Sequence, residues 1–406
     1  LELGIGSRTY TCTLNVTVYP VTVTTGDFKV TNWFSLDAIC RLHNVAFGTA
    51  EFLEMVKKYA RAMRRTHQTS FFIQLNESCI VSRFPEIFSF EHLKPIIRCF
   101  FQEGFQTMEI GPLLNCGFRA DGSQDKQTGS LKCALAPKIP VDSMEGYEYT
   151  RRFLKALKDF LQENGWDDRV LFHVMDEPDV HCPDDGVLQA RKIQYFQVAN
   201  LVRRYFPGVR IIEAVQSIAF RGAVDIMVPV TAGYQEKKKE FDQLINGGEE
   251  VWGYVCCTPQ GFWLNRFLDF ELLRGRLLFW GCVGNGMNGF LHWGFNQFLP
   301  GMNPFEKTSC LNTSGIGTDF PCGDAFIVYP GKDGPWLSMR LEAARRGAED
   351  AALLRQIGRE APNLCKELIA KVFTSFDQYT RDANVFADVY QELLLNASGT
   401  GGKSVE

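Results

Sequence analysis

Two adjacent carboxylates, Asp176 and Glu177, close the apolar run Leu171–Met175 and are followed at once by Pro178. Proline offers no amide hydrogen to a β-ladder and favours extended geometry in the residue before it, so a strand over Val170–Glu177 is expected to stop there. The acids then sit at the carboxyl-terminal edge of a buried parallel strand. Successive strand residues face opposite sides, so the pair shares one cavity only if the backbone leaves regular β geometry at this point. Two like charges this close raise one of the two pKa values, which keeps one carboxyl protonated as an acid while its neighbour stays ionised. An acidic surface loop could hold the same three residues, and Asp-Glu-Pro alone does not separate the two readings.

Strands must deliver these acids, and the chain alternates strand and helix patterns from Phe28 onward. The expected strands are Phe28–Phe34, Ser70–Leu75, Thr107–Gly111, Val170–Glu177, Arg210–Ser217, Val224–Val230, Val251–Cys257 and Gly289–Asn296. Between them lie helical patterns over Ala50–Arg65, Glu91–Gln102, Gly146–Glu163, Gly186–Tyr205, Glu236–Ile245 and Phe270–Phe279. This order predicts an α/β fold, a (β/α)8 TIM barrel over residues 28–336. A doubly wound open sheet is the alternative, but no G-x-G-x-x-G follows the first strand. Residues 1–27, with the alternating stretch Thr9–Val23, read as a β segment, either the remnant of an N-terminal β-sandwich or an edge piece packed on the main domain. Residues 337–396 read as a C-terminal helical segment and 397–406 as a disordered tail.

A barrel gathers chemistry at the carboxyl ends of its strands. Those ends carry Trp33, Gln74 and Asn76, Glu109, the acid pair with His173 just before it, Gln216, Thr231 with Tyr234, Trp252 with Tyr254, and His292 and Trp293 with Asn296. Polar and aromatic groups at so many exits suit an oligosaccharide, which offers hydroxyls for hydrogen bonds and C–H faces for stacking. The long polar loop Leu113–Pro140 and the irregular stretch Asn296–Gly334 are expected to wall the same cleft.

The composition excludes several other functions. A formal charge of −4 and a pI near 6.0 provide no basic excess for nucleic acid or anionic membrane. No apolar stretch reaches the roughly 18 to 20 residues of a membrane span. Thirteen cysteines lack zinc-finger spacing, and Cys256-Cys257 lies in an apolar run where thiols behave as small hydrophobes. Reduced thiols favour a cytoplasmic, bacterial enzyme.

Four ordered motifs resemble glycoside hydrolase family 123: H-V-M-D-E-P-D at 173–179, V-W-G-Y-V-C-C-T-P at 251–259, G-F-L-H-W-G-F-N-Q-F at 289–298, and Y-P-G-K-D-G-P-W-L-S-M-R-L-E-A-A-R-R-G-A-E-D at 329–350. The resemblance implies a TIM-barrel β-N-acetylgalactosaminidase acting with retention on an oligosaccharide or glycolipid glycan, without cofactor or metal. The sugar's own 2-acetamido oxygen would attack its anomeric carbon. Glu177 would be the general acid/base, Asp176 would orient the acetamido group, and Tyr254 would donate to its oxygen. Trp252, Trp293 and Asn296 would shape the sugar pocket. Adjacent acids fit this chemistry better than the separation of about 5 to 9.5 Å between ordinary glycosidase carboxylates.

Three rivals stay open. His173, Asp176, Glu177, Asp179 and His181 could bind zinc, although their spacing is not H-E-x-x-H. Glu213 or Glu271 could serve Glu177 as a conventional nucleophile. A barrel could also bind carbohydrate without turnover.

Overall fold

The computed structural model describes residues 2–83, 86–119, 125–312 and 318–400. Parts of the loops expected to wall the cleft, residues 120–124 and 313–317, lie outside the described residues, as do 401–406 of the expected tail.

Eight parallel strands close into a barrel in chain order. They are β1 Lys29–Asn32, β2 Ser70–Gln74, β3 Thr107–Gly111, β4 Val170–Phe172, β5 Arg210–Val215, β6 Ile226–Pro229, β7 Glu250–Tyr254 and β8 Gly289–His292. Leu171, Ile212, Ala214, Ile226, Val228, Trp252 and Leu291 fill the interior as one apolar cluster. Side chains that alternate with them along the strands, such as Ile211, Val215 and Met227, join the layer between barrel and helices.

The outer ring comprises α1 Ala50–Arg65, α2 Lys94–Gln102, α3 Met144–Glu163, α4 Asp185–Tyr205, α5 Lys238–Asn246, α6 Leu272–Gly284 and α7 Met339–Glu360. Sequence chemistry sets their starts. Thr49, Ser143 and Asp184 accept the amide hydrogens of Phe52, Gly146 and Val187, satisfying donors that the first helical turn leaves unpaired. In α1, Phe52, Met55, Val56, Tyr59, Ala60 and Met63 recur at helical spacing and bury one stripe. Helix α7 packs on α6 and completes the eighth βα unit, although the sequence reading sets it beyond the barrel. Between β5 and β6 the connection holds only the short turn Ile218–Phe220.

Three expected elements differ. Strand β4 ends at Phe172, well before Pro178, for a reason given below. Within Thr9–Val23 only Thr9–Thr11 is strand, part of the segment Arg8–Thr11 paired with Glu2–Ile5. An alternating pattern needs a neighbour to bond with, and among the described residues the remainder of that stretch has no strand beside it. The expected disordered tail begins inside a helix, because Ala383–Thr400 continues past residue 397 and buries Leu393 and Ala397. The Y-P-G-K-D-G-P-W-L stretch is an antiparallel hairpin, Val328–Gly331 against Gly334–Leu337, whose turn is held by Lys58 Nζ on the Asp333 carbonyl at 2.7 Å.

Candidate active site

The acid pair leaves the ladder because side chains take over its backbone groups. On one side Pro112 follows β3, and the amides of Leu113 and Leu114 both turn to the Val174 carbonyl, at 2.9 and 2.8 Å. On the other side Glu213 Oε2 accepts the amide hydrogens of Val174 and Met175, each at 3.0 Å, where a regular ladder would offer β5 carbonyls. Strand β4 therefore ends early, and Pro178 has no part in it. Gly111 permits this crossing, since a Cβ there would stand 2.0 Å from the His173 carbonyl oxygen.

Beyond Met175 the chain turns sharply. Glu177 adopts φ +49°, a left-handed conformation costly for a residue with a Cβ. This is the departure from β geometry that neighbouring acids need to share a cavity. Asp176 and Glu177 both line one cleft, with Asn115, Lys126, Met175 and Arg191. Two anchors hold the turn. Asp179 accepts the Gln216 amide at 2.9 Å and the Ser217 hydroxyl at 2.8 Å. The buried Arg191 donates to the carbonyls of Pro178 and Val180, both at 3.1 Å, and to Thr128 at 3.0 Å, which ties the acid turn to the loop after β3.

The two acids are not equivalent. Asp176 is exposed to the cleft, whereas the Glu177 side chain is only 19% exposed. Burial, then the charges of Asp176 and Asp179, push Glu177 up to about 7, against the pull of Lys126 Nζ at 3.9 Å. A carboxylic acid in that range can hold a proton near neutral pH and give it up during a reaction.

Beneath the acids lies a buried polar network. His173 Nδ1 stands 2.8 Å from Glu213 Oε1 and 3.7 Å from Glu109 Oε1. Glu213 also accepts the Tyr195 hydroxyl at 2.7 Å, and Glu109 accepts the Trp33 indole N–H at 3.1 Å. Burial opposes a charged His173, but Glu213, Glu109 and Asp176 outweigh it and raise the ring to about 9. Burial raises Glu109 to about 7, although His173 and Trp33 pull it down. His173 is 1% exposed and supports the floor of the site without reaching a substrate.

On the opposite side, Arg266 donates to Asn32 Oδ1 at 2.8 Å and to His292 Nδ1 at 2.7 Å. The Gly294 amide also faces Nδ1, at 2.9 Å, so the ring proton resides on Nε2, 3.3 Å from Asp324 Oδ1. Asp324 accepts the Trp293 indole N–H at 3.2 Å. This frame fixes Trp293, which stays partly exposed at the mouth, as does Trp33.

Among the residues expected to bind substrate, Tyr254 stands with the acids: burial and the nearby charges of Cys256, Glu177 and Asp176 hold its hydroxyl well above its usual range. Others do not reach the cleft. Trp252 is 1% exposed, and its indole donates to Glu250 at 2.7 Å, near the amino end of the same strand. It plugs the barrel core under Tyr254. Tyr234 belongs to the helix Thr231–Glu236, which turns its ring onto Phe241 and Phe376 and its hydroxyl onto Asp242 at 2.6 Å. Asn296 spends both halves of its amide on the Ser35 backbone, at 2.8 and 3.1 Å. Gln216 contributes its amide to Asp179, and its side-chain oxygen lies 3.2 Å from where a Cβ on Gly233 would sit.

The rival chemistries are poorly served. Asp179 is committed to Gln216 and Ser217, and among the described residues no group of three or more His, Cys, Asp or Glu is arranged to hold a metal ion. Glu213 has three donors on one oxygen. Glu271 lies at the start of α6 in ion pairs with Arg274 and Arg381. Nothing local in the sequence marks Lys126, Arg191, Tyr195, Arg266 or Asp324. Their roles depend on partners far along the chain, and only the carboxylates Glu109 and Glu213, embedded in apolar strand segments, gave a local signal.

The chain is a (β/α)8 barrel with paired acids at the exit of its fourth strand. The family description "Glycoside hydrolase 123, catalytic domain" matches residues 33–357, and the chain belongs to that family. No curated protein matches the sequence. A family 123 glycoside hydrolase from Clostridium perfringens, described for glycolipid glycan hydrolysis, superposes with a TM-score of 0.67 at 15% identity, over 95% of this chain and 70% of that one. A monomeric β-xylosidase from Caulobacter crescentus superposes with a TM-score of 0.50 at 10% identity, over 80% of this chain and 69% of that one. Both likenesses concern the barrel fold.

Proposed function

We propose that this glycoside hydrolase releases terminal β-linked N-acetylgalactosamine from an oligosaccharide or glycolipid glycan, with retention, using the substrate's 2-acetamido oxygen as nucleophile. The observation that carries this reading is the placement of Asp176 and Glu177 side by side in one cleft, while Glu213 and Glu271 are engaged elsewhere. Such a pair leaves the anomeric carbon to an internal nucleophile. The glycolipid activity named for the Clostridium perfringens relative supports the substrate class.

In the first step Glu177 gives its proton to the departing glycosidic oxygen as the acetamido oxygen closes on the anomeric carbon. Asp176 holds the acetamido N–H and balances the positive charge of the bicyclic oxazolinium. Tyr254 donates to the acetamido oxygen and aligns its attack. Water then opens the ring from the vacated side, and Glu177 takes its proton. Trp33 and Trp293 offer partly exposed aromatic faces for the sugar. Thirteen cysteines without zinc-finger spacing suit a reducing, cytoplasmic address.

Nitrophenyl glycosides of N-acetylgalactosamine, N-acetylglucosamine and galactose test the reading together. Turnover confined to the two N-acetylated sugars, faster on the galacto epimer, is expected. Galactoside hydrolysis at the same rate would return the mechanism to a carboxylate nucleophile.

A further inference from the structure

Just past β7 the chain places two consecutive cysteines at the barrel mouth. Cys256 Sγ and Cys257 Sγ lie 3.9 Å apart. Cys256 is buried in the cluster of Trp252 and Tyr254, and Cys257 packs half-buried on the same cluster. The segment is anchored, because Asn265 Nδ2 donates to the carbonyls of Cys256 and Pro259, both at 2.9 Å, and the Cys256 amide donates to the Thr258 carbonyl at 2.9 Å. The charges of Glu177 and Asp324 reach both sulfurs, and Tyr254 packs in the same cluster as Cys256. The hydrolytic steps use neither sulfur. Burial as a small hydrophobe explains Cys256, but it does not explain a partly exposed thiol held against a second one.

We propose that Cys256 and Cys257 are a reversible modification site, closing into a vicinal disulfide when a low-molecular-weight disulfide oxidises them. The thiols are prepared for unequal roles. The hydrogen bond from Cys256 lowers Cys257 below the usual thiol range and, with burial, raises Cys256. Cys257, the more accessible and more acidic, attacks one sulfur of the small disulfide, whose S–S bond breaks and releases a thiolate. Cys256 passes its proton to that thiolate and attacks Cys257 Sγ, expelling the second half of the oxidant as another thiolate. Two protein thiols lose two electrons and one small disulfide becomes two thiols. Closure draws the sulfurs from 3.9 Å to a bond of roughly 2.05 Å and shifts Cys256 within the cluster it shares with Tyr254, the group that stands with Glu177. Turnover falls as a result.

The test uses the full chain, first reduced and then incubated with excess oxidised glutathione. Non-reducing digestion and mass spectrometry should find the peptide spanning both cysteines lighter by two hydrogens, with no glutathione attached. On the nitrophenyl glycoside that the enzyme turns over fastest, kcat/KM should drop about tenfold or more. Dithiothreitol should restore it. Cys257→Ser should keep the activity of the reduced enzyme and resist the oxidant, and Cys256→Ser should retain a glutathione adduct on Cys257. The proposal is overturned if the wild-type pair stays reduced, if it keeps glutathione without closing, if it closes with kcat/KM unchanged, or if Cys257→Ser loses activity to the oxidant as wild type does. The mass readout on wild type depends neither on a variant folding nor on the identity of the sugar.

Discussion

Glu213 holds Met175: its Oε2 accepts the Met175 amide hydrogen at 3.0 Å, one residue before the catalytic pair. The same oxygen takes the Val174 amide and the Tyr195 hydroxyl, and the other faces His173 at 2.8 Å. Glu213 is thus a positioning residue for the exit of β4. Glu213→Ala leaves a buried imidazolium and three donors without their acceptor, and a stability loss of about 3 to 5 kcal/mol is expected in urea melts. Glu213→Gln keeps an acceptor oxygen but loses the charge opposite His173. It should lower kcat by about 100-fold with little change in KM, since the acids shift while the sugar-binding rim stays. Wild-type kcat in Glu213→Gln would show that the acid turn does not depend on this clamp.

The role of Glu177 is tested by varying the leaving group. A general acid matters most when the departing oxygen is basic. Glu177→Gln should therefore abolish turnover of natural glycans and simple alkyl glycosides, while an activated dinitrophenyl glycoside retains much of its rate. An equal loss across the series would remove Glu177 from that role.

The pH profile carries the sign of the Glu177 environment. Its folded-state pKa is raised to about 7, and the first step needs the protonated form, so kcat/KM should decline as pH rises through about 7. Lys126 pulls this pKa down, so Lys126→Met should move the alkaline limb to higher pH. Glu109 rises to the same range, chiefly through its own burial, with His173 and Trp33 opposing. A limb that stays in place in Lys126→Met would assign it to Glu109.

Legibility in the sequence follows the range of the forces involved. Thr107–Gly111 and Ala50–Arg65 were bounded correctly because apolar periodicity is local. The end of β4 was not, because the group that stops it, Glu213, lies 39 residues away from Val174. The acid pair was legible from residue type, and its shared cleft required a positive φ that no neighbouring glycine announces. Trp252 and Tyr254 look alike on one strand, yet only depth along the barrel axis separates a core plug from a site residue. Tyr234 stands at an expected strand exit, but a helix begins at Thr231 and turns it onto Phe241. Asn296 has the amide of a sugar ligand, and Ser35, 261 residues away, consumes it.

That contrast on β7 yields a paired prediction. Trp252→Ala empties the barrel core and should cost about 3 to 5 kcal/mol of stability, read by thermal or urea unfolding. Tyr254→Phe removes only a hydroxyl and should leave the melting curve near wild type while lowering kcat by about 100-fold. The reverse pattern, with Tyr254→Phe active and Trp252→Phe raising KM on a folded protein, would exchange the two assignments.

Asp176 decides the nucleophile. If the acetamido oxygen attacks, Asp176 acts on the amide and not on the anomeric carbon, so Asp176→Asn should keep the fold and lower the rate by orders of magnitude. Its side chain is exposed to the cleft, and the anchors of the turn are Asp179 and Arg191, so loss of structure is not expected to confuse the reading. A thiazoline that mimics the bicyclic intermediate should bind wild type far more tightly than the free sugar, as transition-state analogues do. Asp176→Asn should lose most of that advantage, because its amide cannot balance the developing positive charge. A fluoro-sugar that leaves a glycosyl ester on any carboxylate, or a thiazoline that binds no better than the free sugar, would sink the substrate-assisted mechanism and leave the hydrolase with a conventional nucleophile.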